Sequence, residues 1–456
     1  MNLDFLKNKR VLILGLGKEG ESTFKLLRRR FPDKVFGLAD QNEFSKLSVK
    51  IKQAIVNDKN VNLYLGNGYL ATLENYEIIF KTPGISQKIL EPFLRNPHAV
   101  LSQTKLFLSD QRNNSIGVTG TKGKSTTASL IHHILKHKFK NTKLVGNIGK
   151  PVLFYLPKKK KGELFVIELS SHQLYDVQAS PHIAVFLNIF PEHLDYYKSF
   201  KEYWQAKTNI TKWQKAKDFF IYNNDFKELR NLAKKTRAKK ISFSLRDESR
   251  GVYLKNNWIF YQNQKIMSIK EIPLAGLHNV ANVMAAIAVA KIFKIKTEII
   301  VRTIKTFKPL EHRIELFAKT TKTSFYNDSI ATVPEATIQA LHSIPKIQTL
   351  IAGGFDRGQD FKNLAKNIIL KRISFLILLP ETGGRIAKEL EAIKGKKPQI
   401  IKAKGIKEAA QIAVKKTIDG ACLLSPASAS FNMFKDYKDR GRQFKKYVRI
   451  FLEKND

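Results

Sequence analysis

A glycine-rich segment that ends in Lys-Ser-Thr, residues 117–127 (GVTGTKGKSTT), has the residue types of a phosphate-binding loop. Small residues let consecutive backbone N–H groups point into one concavity that holds phosphate oxygens. Lys124 can neutralise phosphate charge, and the hydroxyl of Ser125 or Thr126 can bind Mg²⁺. Residues 126–136 are predicted to form a helix whose positive N-terminal dipole faces the same anion. The sequence therefore predicts a nucleoside triphosphate site.

Two further side chains have suitable chemistry for Mg²⁺ at this site. Glu168 closes an apolar strand predicted over residues 164–169, and His193 follows another over residues 183–188. The carboxyl ends of parallel strands form the binding edge of an α/β sheet, so both side chains can face the loop. Mg-ATP chemistry requires hard ligands around the β- and γ-phosphates. We therefore expect Glu168 and His193 to act as catalytic metal ligands together with Ser125.

A second glycine-rich turn, residues 15–20 (GLGKEG), lies between a strand predicted over residues 10–15 and a helix. A further strand over residues 35–39 ends at Asp40. This spacing satisfies the dinucleotide-binding fingerprint, including an acid about 20 residues after the last glycine. An NAD(P)-dependent dehydrogenase is therefore an alternative, although the fingerprint explains only the first quarter of the chain and gives the later phosphate loop no role.

The order of apolar and amphipathic segments predicts the fold class. Short apolar runs alternate with longer amphipathic segments throughout, which indicates an α/β fold with largely parallel sheets. A length of 456 residues suggests roughly three domains. We place a Rossmann-like N-terminal domain at residues 1–110, a central P-loop ATPase-type domain at 111–309, and a Rossmann-like C-terminal domain at 310–456. Residues 240–272 are predicted to be irregular.

Composition and charge limit the classes of function. The chain has 80 Lys and Arg against 39 Asp and Glu, a formal net charge of +41, which raises the hypothesis of nucleic-acid binding. The basic residues are spread through every segment without an arginine-rich arm, a zinc finger or an aromatic-basic RNA motif, so we expect no specific nucleic-acid partner. With Cys422 as the only cysteine and no apolar run of membrane-spanning length, we expect a cytoplasmic protein without a membrane partner.

The phosphate loop departs from the general pattern in a way that indicates a family. The general loop has a glycine where this chain has Val118, and the shorter form here begins at Gly120. That form resembles the ATP site of the Mur ligase family and of its folylpolyglutamate synthase relatives. More than a hundred residues precede the loop here, whereas folylpolyglutamate synthases place it close to the N-terminus. Further motifs that carry the resemblance lie at residues 146–149, 168–171, 191–195, 277–282, 312–313, 327–329, 352–354 and 424–431.

The resemblance implies an ATP-dependent, amide-bond-forming ligase of peptidoglycan precursor synthesis. The motif at residues 425–431 with Arg440-Gly441 is similar to that of members that add glutamate to UDP-N-acetylmuramoyl-L-alanine (UDP-MurNAc-L-Ala) through an acyl phosphate. The resemblance implies that the added amino acid is D-glutamate by default, that the reaction requires ATP and Mg²⁺, and that the substrates are all small molecules. We also expect a monomer.

The resemblance also implies roles for individual residues. Lys207 matches the family lysine that is carbamylated, which turns a cation that would repel Mg²⁺ into an anion that binds it. Together with Lys124, Glu168 and His193, it completes the expected catalytic set. The expected ATP-binding residues are Gly120, Thr121, Lys122, Gly123, Lys124, Ser125, Thr126, Asn279, Asn282, Arg313 and Asp328. The expected UDP-sugar-binding residues are Gly15, Leu16, Gly17, Lys18, Asp40, Thr82, Gly84 and Asn147. The expected glutamate-binding residues are Thr332, Arg357, Ser425 and Phe431.

Two departures from the family pattern concern the amino-acid site. Ile330 stands where the family pattern Asn-Asp-Ser-Lys-Ala-Thr has its lysine, which leaves the L-glutamate-adding variant of the ligase as an alternative. Arg357 stands where some members carry a lysine that holds the glutamate carboxylate. An arginine can bind that carboxylate with two parallel hydrogen bonds.

Overall fold

The structure of the protein is a computed structural model that describes residues 3–94, 100–158, 162–192, 196–248, 251–274, 276–308, 310–431 and 433–453. The chain forms two compact units. One comprises Met1–Ile272 with His278–Phe307, and the other comprises Pro273–Leu277 with Lys308–Asp456. None of the helices within the described ranges is both long and apolar enough to pass through a lipid bilayer.

The first sheet of the first unit consists of five short strands. They are β1 (Val11–Leu14), β2 (Phe36–Asp40), β3 (Val61–Leu65), β4 (Ile78–Lys81) and β5 (Val100–Leu101). All pair in parallel in the order β3-β2-β1-β4-β5. Their helices are α1 (Lys18–Arg30), α2 (Val49–Val56), α3 (Gln87–Leu90) and α4 (Gln103–Gln111). Because the strand order reverses between β1 and β4, the loops after these two strands border the place where open α/β sheets bind ligands.

The second sheet of this unit has nine strands. They are β6 (Ser115–Thr119), β7 (Thr142–Gly146), β8 (Leu164–Glu168), β9 (Ile183–Phe186), β10 (Phe219–Asn223), β11 (Lys239–Ser244), β12 (Val252–Lys255), β13 (Trp258–Tyr261) and β14 (Gln264–Ser268). The associated helices are α5 (Lys124–Lys138), α6 (Ser171–Leu174), α7 (Phe200–Lys212), α8 (Lys227–Lys235), α9 (Leu277–Ile292) and α10 (Thr297–Lys305). The strand order is β14-β13-β12-β11-β10-β9-β6-β8-β7, and the pairs from β7 through β12 are parallel.

The prediction that residues 240–272 are irregular was wrong. This segment contains the end of β11 and the antiparallel strands β12 to β14, which extend the sheet. Asn256 and Asn257 form the turn between β12 and β13 with φ of 46° and 63°. Two consecutive left-handed residues fit the twist of a hairpin, and asparagine tolerates this conformation. An Asn-Asn pair is a weaker turn signal than Asn-Gly, so the sequence alone did not predict the hairpin.

The second unit is built on a six-stranded sheet. Its strands are β15 (Glu315–Lys319), β16 (Thr323–Asn327), β17 (Ile347–Ala352), β18 (Phe375–Leu378), β19 (Gln399–Lys402) and β20 (Gly420–Leu424). Its helices are α11 (Pro334–Ser343), α12 (Lys362–Leu370), α13 (Gly383–Glu391), α14 (Ile406–Lys416) and α15 (Tyr437–Glu453). The order is β15-β16-β20-β17-β18-β19, and every pair except β15 with β16 is parallel. The predicted α/β fold with largely parallel sheets is confirmed.

Candidate active site

The predicted phosphate loop joins the central strand β6 to helix α5. Gly123 is the N-cap of α5 and has φ of 84°, a conformation that favours glycine. A Cβ atom on Gly123 would lie 2.4 Å from Asn282 Oδ1, so the close approach of α9 also requires glycine here. The helix therefore begins at Lys124, with its N-terminal amides directed at the loop.

Two lysines converge on one carbonyl of this loop. Lys124 Nζ donates to Gly120 O at 3.0 Å and to Thr121 O at 2.7 Å. Lys207 on α7 donates from Nζ to the same Gly120 O at 2.9 Å and is 1% exposed. Burial, and next the charge of Lys124, lower the pKa of Lys207 well below that of an ordinary lysine. The two predicted catalytic lysines thus donate to the same carbonyl of the loop.

Glu168 lies at the end of β8, which pairs with β6. Its side chain is 1% exposed, and Oε1 accepts a hydrogen bond from Asn147 Nδ2 at 3.0 Å. Oε2 is buried and has no hydrogen-bond partner among the described residues. A buried carboxylate oxygen without a donor is a suitable ligand for a hard cation. Asn147, which we assigned to the UDP-sugar, here contacts the carboxylate that we assigned to the metal.

Ser125 and His193 are further metal ligands predicted from the sequence. Ser125 occupies the first turn of α5 and is half-buried. His193 lies outside the described residues. Within the described part of the chain, no three His, Cys, Asp or Glu side chains form a group that could hold a metal. Any Mg²⁺ site here must therefore combine Glu168 with ligands of another kind or with His193.

Asn188, just after β9, is a site residue that the sequence did not reveal. Its side-chain Oδ1 accepts from Lys122 N at 2.8 Å, and its Nδ2 donates to Lys122 O at 3.0 Å. Its backbone oxygen accepts from Thr121 N at 3.0 Å. Asn188 therefore holds the middle of the phosphate loop with three hydrogen bonds. The only sequence signal was an amide residue at the carboxyl end of a predicted strand.

The rest of the loop is fixed by neighbouring side chains. Thr121 Oγ1 is 3.0 Å from the hydroxyl of Tyr203, and Lys122 Nζ forms an ion pair with Glu192. On the other side, Asn282 on α9 accepts from Thr127 Oγ1 at 3.1 Å. Asn282 Nδ2 in turn donates to Asn279 Oδ1 at 3.0 Å. Of the predicted nucleotide residues on α9, Asn282 contacts the loop region, and Asn279 contacts Asn282.

The first glycine turn, around Gly15, is held by different side chains from those at the phosphate loop. Gly15 has φ of 89°, and a Cβ atom there would lie 2.1 Å from Thr82 Oγ1. Asp40 at the end of β2 accepts from Leu16 N at 2.6 Å through Oδ2 and from Asn42 N at 2.8 Å through Oδ1. Both oxygens of Asp40 are thus used to hold the turn and its neighbour. Of the other predicted UDP-sugar residues, Gly17, Lys18 and Gly84 are exposed around this turn.

The second unit brings together Asp328, Ser425 and Arg313. Asp328 follows β16, is 4% exposed, and accepts from Ser425 Oγ at 2.7 Å and from Ile314 N at 3.1 Å. Burial raises the pKa of Asp328 to about 7, although the Ser425 bond and the charge of Arg313 act in the opposite direction. Ser425 is fully buried, so its hydroxyl positions Asp328.

A second group in this unit lies at the surface. The guanidinium of Arg357 is 5.2 Å from the ring centroid of Phe431, which is 59% exposed. Thr332 and Ile330 are half-buried, and the backbone oxygen of Thr332 accepts from Gln359 Nε2 at 3.4 Å. An exposed arginine beside an aromatic ring is able to bind a carboxylate.

Known proteins are similar to this chain over nearly its whole length. The family model for the Mur ligase middle domain matches residues 118–290. A UDP-N-acetylmuramoylalanine--D-glutamate ligase of Acetivibrio thermocellus is 34% identical over 459 residues, which cover 97% of this chain and 97% of that protein. The protein of the same name from Streptococcus equi subsp. zooepidemicus is 34% identical and covers 96% of both chains.

The chain belongs to the Mur ligase family. This confirms the resemblance inferred from the motifs, and the comparisons give no support to a dehydrogenase.

Among solved structures, this Mur ligase is similar to UDP-N-acetylmuramate-alanine ligase from Thermotoga maritima. The TM-score is 0.61 at 16% identity, and the match covers 97% of this chain and 100% of the other. At this identity the likeness shows the fold alone. It agrees with the arrangement of three mainly parallel sheets described above.

Proposed function

We propose that this Mur ligase joins D-glutamate to UDP-MurNAc-L-Ala with hydrolysis of ATP to ADP and phosphate, in peptidoglycan precursor synthesis. The observation that carries the proposal is the arrangement of Lys124, Lys207 and Glu168 around a phosphate loop. The relatives that bear the name of this activity align over nearly the whole chain. ATP binds at this loop, and the UDP-sugar binds at the turn around Gly15.

A carboxylate is a poor acyl donor, which is the chemical reason for using ATP. In the first step, an oxygen of the alanine carboxylate attacks the γ-phosphorus, the bond to the β-γ bridging oxygen breaks, and ADP leaves. Lys124 and the amides at the start of α5 stabilise the charge that develops on the phosphate oxygens. The product of this step is an acyl phosphate.

In the second step, the amine of glutamate attacks the acyl carbon of the acyl phosphate. The new C–N bond forms, the C–O bond to phosphate breaks, and the nitrogen loses a proton to leave an amide. Arg357 holds the glutamate carboxylate beside Phe431, and Thr332, whose backbone oxygen accepts from Gln359, completes the subsite. In that subsite, Ser425 acts indirectly, because its buried hydroxyl holds Asp328.

Glu168 and Ser125 are the described residues that would hold Mg²⁺, with His193 as a further ligand. The buried, unpartnered Oε2 of Glu168 fits this role. When bound, Mg²⁺ offsets the repulsion between ATP and the anionic acceptor. Asn147 orients the carboxylate of Glu168 through its 3.0 Å hydrogen bond.

Carbamylation of Lys207 deepens this proposal. A neutral lysine amine adds to CO₂, forms an N–C bond and loses a proton, which gives an anionic carbamate. Burial and Lys124 lower the pKa of Lys207, so the neutral amine is available at a lower pH than in an ordinary lysine. The carbamate would also replace the repulsion between Lys207 and Lys124 with attraction.

Carbamylation is tested with ¹³C-labelled bicarbonate. The wild type should show a carbamate signal by ¹³C NMR, and its activity should fall when CO₂ is removed and return when bicarbonate is added. Lys207→Ala should lack the signal, whereas Lys212→Ala, an exposed lysine of the same helix, should retain it. A wild-type protein with full activity and no signal would contradict the carbamate.

The function itself is tested by phosphate release from ATP with UDP-MurNAc-L-Ala and either enantiomer of glutamate. We expect turnover with D-glutamate and an amide product by mass spectrometry. Turnover with L-glutamate alone would assign the chain to the L-adding variant, with Ile330 as the first residue to examine. No turnover with either enantiomer would reject the proposal.

We further propose that the enzyme acts in the cytoplasm as a monomer. The argument for the compartment is that its substrates, ATP and a UDP-linked sugar, are cytoplasmic nucleotides. Light scattering of the purified protein at micromolar concentration tests the oligomeric state, and the mass of a dimer would contradict the proposed monomer.

A further inference from the structure

Three ionisable side chains meet between the first and second sheets of the first unit. Glu19 lies in the first turn of α1, Lys81 ends β4, and Asp176 follows α6. Lys81 is 4% exposed, and its Nζ donates to Ile85 O at 2.9 Å. None of the three has a role in the mechanism described above. We refer to Glu19, Lys81 and Asp176 as the buried cluster.

Each carboxylate of the buried cluster has one bonded oxygen and one unbonded oxygen. Glu19 Oε1 accepts from Gln173 Nε2 at 2.8 Å, and Asp176 Oδ1 accepts from Ser102 Oγ at 2.9 Å. Glu19 Oε2 and Asp176 Oδ2 are out of contact with solvent and have no hydrogen-bond partner among the described residues. Such oxygens are unfavourable as charged acceptors and favourable as sites for a proton.

The charges of the buried cluster do not balance. Two ionised carboxylates beside one ammonium group would leave a net negative charge in a region of low solvent access. Burial raises the pKa of both Glu19 and Asp176, and Lys81 acts in the opposite direction. Burial also lowers the pKa of Lys81. One proton held by the two carboxylates would make the cluster neutral.

Two other titratable groups face the buried cluster. Lys105 on α4 lowers the pKa of Asp176 without removing the rise caused by burial. Tyr196 donates from its hydroxyl to Pro83 O at 3.3 Å and Ile85 O at 3.1 Å, on the same loop that Lys81 contacts. Burial raises the pKa of Tyr196 above that of an ordinary tyrosine, and the uncharged phenol therefore leaves the charge of the cluster unchanged.

The position of the buried cluster connects it to the reaction. Glu19 adjoins the turn around Gly15, and Lys81 adjoins the loop at Thr82, where we place the UDP-sugar. Gln173 belongs to the segment that follows Glu168, so its bond to Glu19 joins the UDP-sugar side of the unit to the metal side. A negative charge at the start of α1 would repel the like charge of a diphosphate bound there.

We propose that one of the two carboxyl groups, Glu19 or Asp176, carries a proton, and that this proton keeps the buried cluster neutral when the diphosphate of the UDP-sugar binds beside it. Glu19 and Asp176 are thus positioning and charge-balancing residues for that substrate. The proposal rests on the proposed function, which places the UDP-sugar at this turn.

Binding of UDP-MurNAc-L-Ala as a function of pH tests the proposal by calorimetry. The esterified diphosphate does not titrate near neutral pH. Loss of this proton, as the pH rises through the raised pKa of the two carboxyl groups, should therefore lower wild-type affinity about tenfold, the size expected for one added like charge at short range. Affinity for a non-hydrolysable ATP analogue should not follow the same curve. Glu19→Gln, which is neutral at every pH, should bind the UDP-sugar with little pH dependence.

The matched control is Glu21→Gln. Glu21 lies in the same turn of α1, and its carboxylate pairs with Lys25 at 2.6 Å on the outer side of the helix. This variant should keep the wild-type pH dependence. If Glu19→Gln retains that dependence, or if wild-type affinity does not change with pH, the proposal is wrong. Asp176→Asn provides the same test should Glu19→Gln fail to fold.

Thermal unfolding separates this proposal from the proposed function, because it requires no substrate. A carboxyl group with a raised pKa in the folded state contributes stability at low pH that is lost as pH rises through that pKa. The wild type should therefore lose Tm relative to Glu19→Gln as the pH increases, and parallel curves would contradict the proton held by the two carboxyl groups. Absence of UDP-MurNAc-L-Ala binding at every pH, with the Tm difference present, would reject the proposed function and the role of the cluster toward that substrate, but not the proton held by the two carboxyl groups.

Discussion

The two glycine turns of the first unit occupy similar positions, each between a central strand and a helix, and have different surroundings. Both follow a central parallel strand and lead into a helix, and both contain a glycine with positive φ, Gly15 and Gly123. Around the second turn, Lys124 and Lys207 donate to loop carbonyls. Around the first, Asp40 accepts from the loop backbone, and Glu19 lies in the first helical turn.

The difference shows that a glycine turn supplies geometry, whereas the neighbouring side chains select the ligand. Lysines beside the second turn favour the concentrated negative charge of a triphosphate. Acidic neighbours beside the first turn are compatible with a less charged diphosphate ester, provided that their own charge is balanced. This supports the proposed assignment of ATP to the second turn and of the UDP-sugar to the first.

Removal of Lys124, the proposed phosphate-binding lysine, should have the largest effect. We expect Lys124→Ala to lower kcat for phosphate release by about 10³-fold, because a preorganised charge at the transition state is lost. Lys136→Ala, an exposed lysine in the last turn of the same helix, is the control and should retain wild-type kcat. If Lys124→Ala and Lys136→Ala have equal kcat, Lys124 has no special role at the second turn, and the proposed difference between the two turns is wrong.

Alanine at each positive-φ glycine should affect a different substrate. Each left-handed alanine costs about 1–3 kcal/mol, in addition to the close contact of its Cβ atom. We expect Gly123→Ala to raise KM for ATP about tenfold, and Gly15→Ala to raise KM for UDP-MurNAc-L-Ala by a similar factor. Steady-state kinetics with each substrate varied in turn measures both.

Gly68→Ala is the matched control for these two variants. Gly68 has φ of 81°, and a Cβ atom there would have no neighbour within 4 Å. The variant reports backbone strain at a position remote from both turns in sequence, so it should lower Tm and leave both KM values unchanged. An increase of both KM values in Gly15→Ala would contradict separate substrate assignments.

Loss of the loop contact from Asn188 should have a smaller effect. Asn188→Ala removes two side-chain hydrogen bonds to Lys122 and retains the backbone bond to Thr121. We expect KM for ATP to rise about fivefold, consistent with about 1 kcal/mol for partly solvent-accessible bonds. Asn42→Ala, which removes a side-chain bond to Asp40 near the first turn, should leave KM for ATP unchanged. An unchanged KM for ATP in Asn188→Ala, with a raised KM for ATP in Asn42→Ala, would contradict the role of Asn188.

Local sequence was sufficient to predict much of the fold and the second turn. The loop at Gly120, the helix that follows it and the carboxylate at the end of β8 are determined by residues that are close in sequence, although the helix begins at Lys124 and not at Thr126 as predicted. Apolar runs also predicted the parallel strands, because buried strands are apolar on both faces.

Long-range contacts explain what the sequence could not predict. Asn188 lies 66 residues from Lys122, and the hydrogen bond between Gln173 and Glu19 spans 154 residues. Such pairs depend on the three-dimensional arrangement of strands, which residue type does not encode. The burial of Lys207 among many exposed lysines is of the same kind, and only the family motif distinguished it.

Simultaneous binding of the two nucleotides tests the central assignment most directly. A non-hydrolysable ATP analogue should be titrated into the protein with and without saturating UDP-MurNAc-L-Ala. Two separate turns predict that one ATP analogue binds per chain in both titrations, and that the UDP-sugar remains bound. Displacement of one nucleotide by the other would show that they share a turn, and would contradict the assignment.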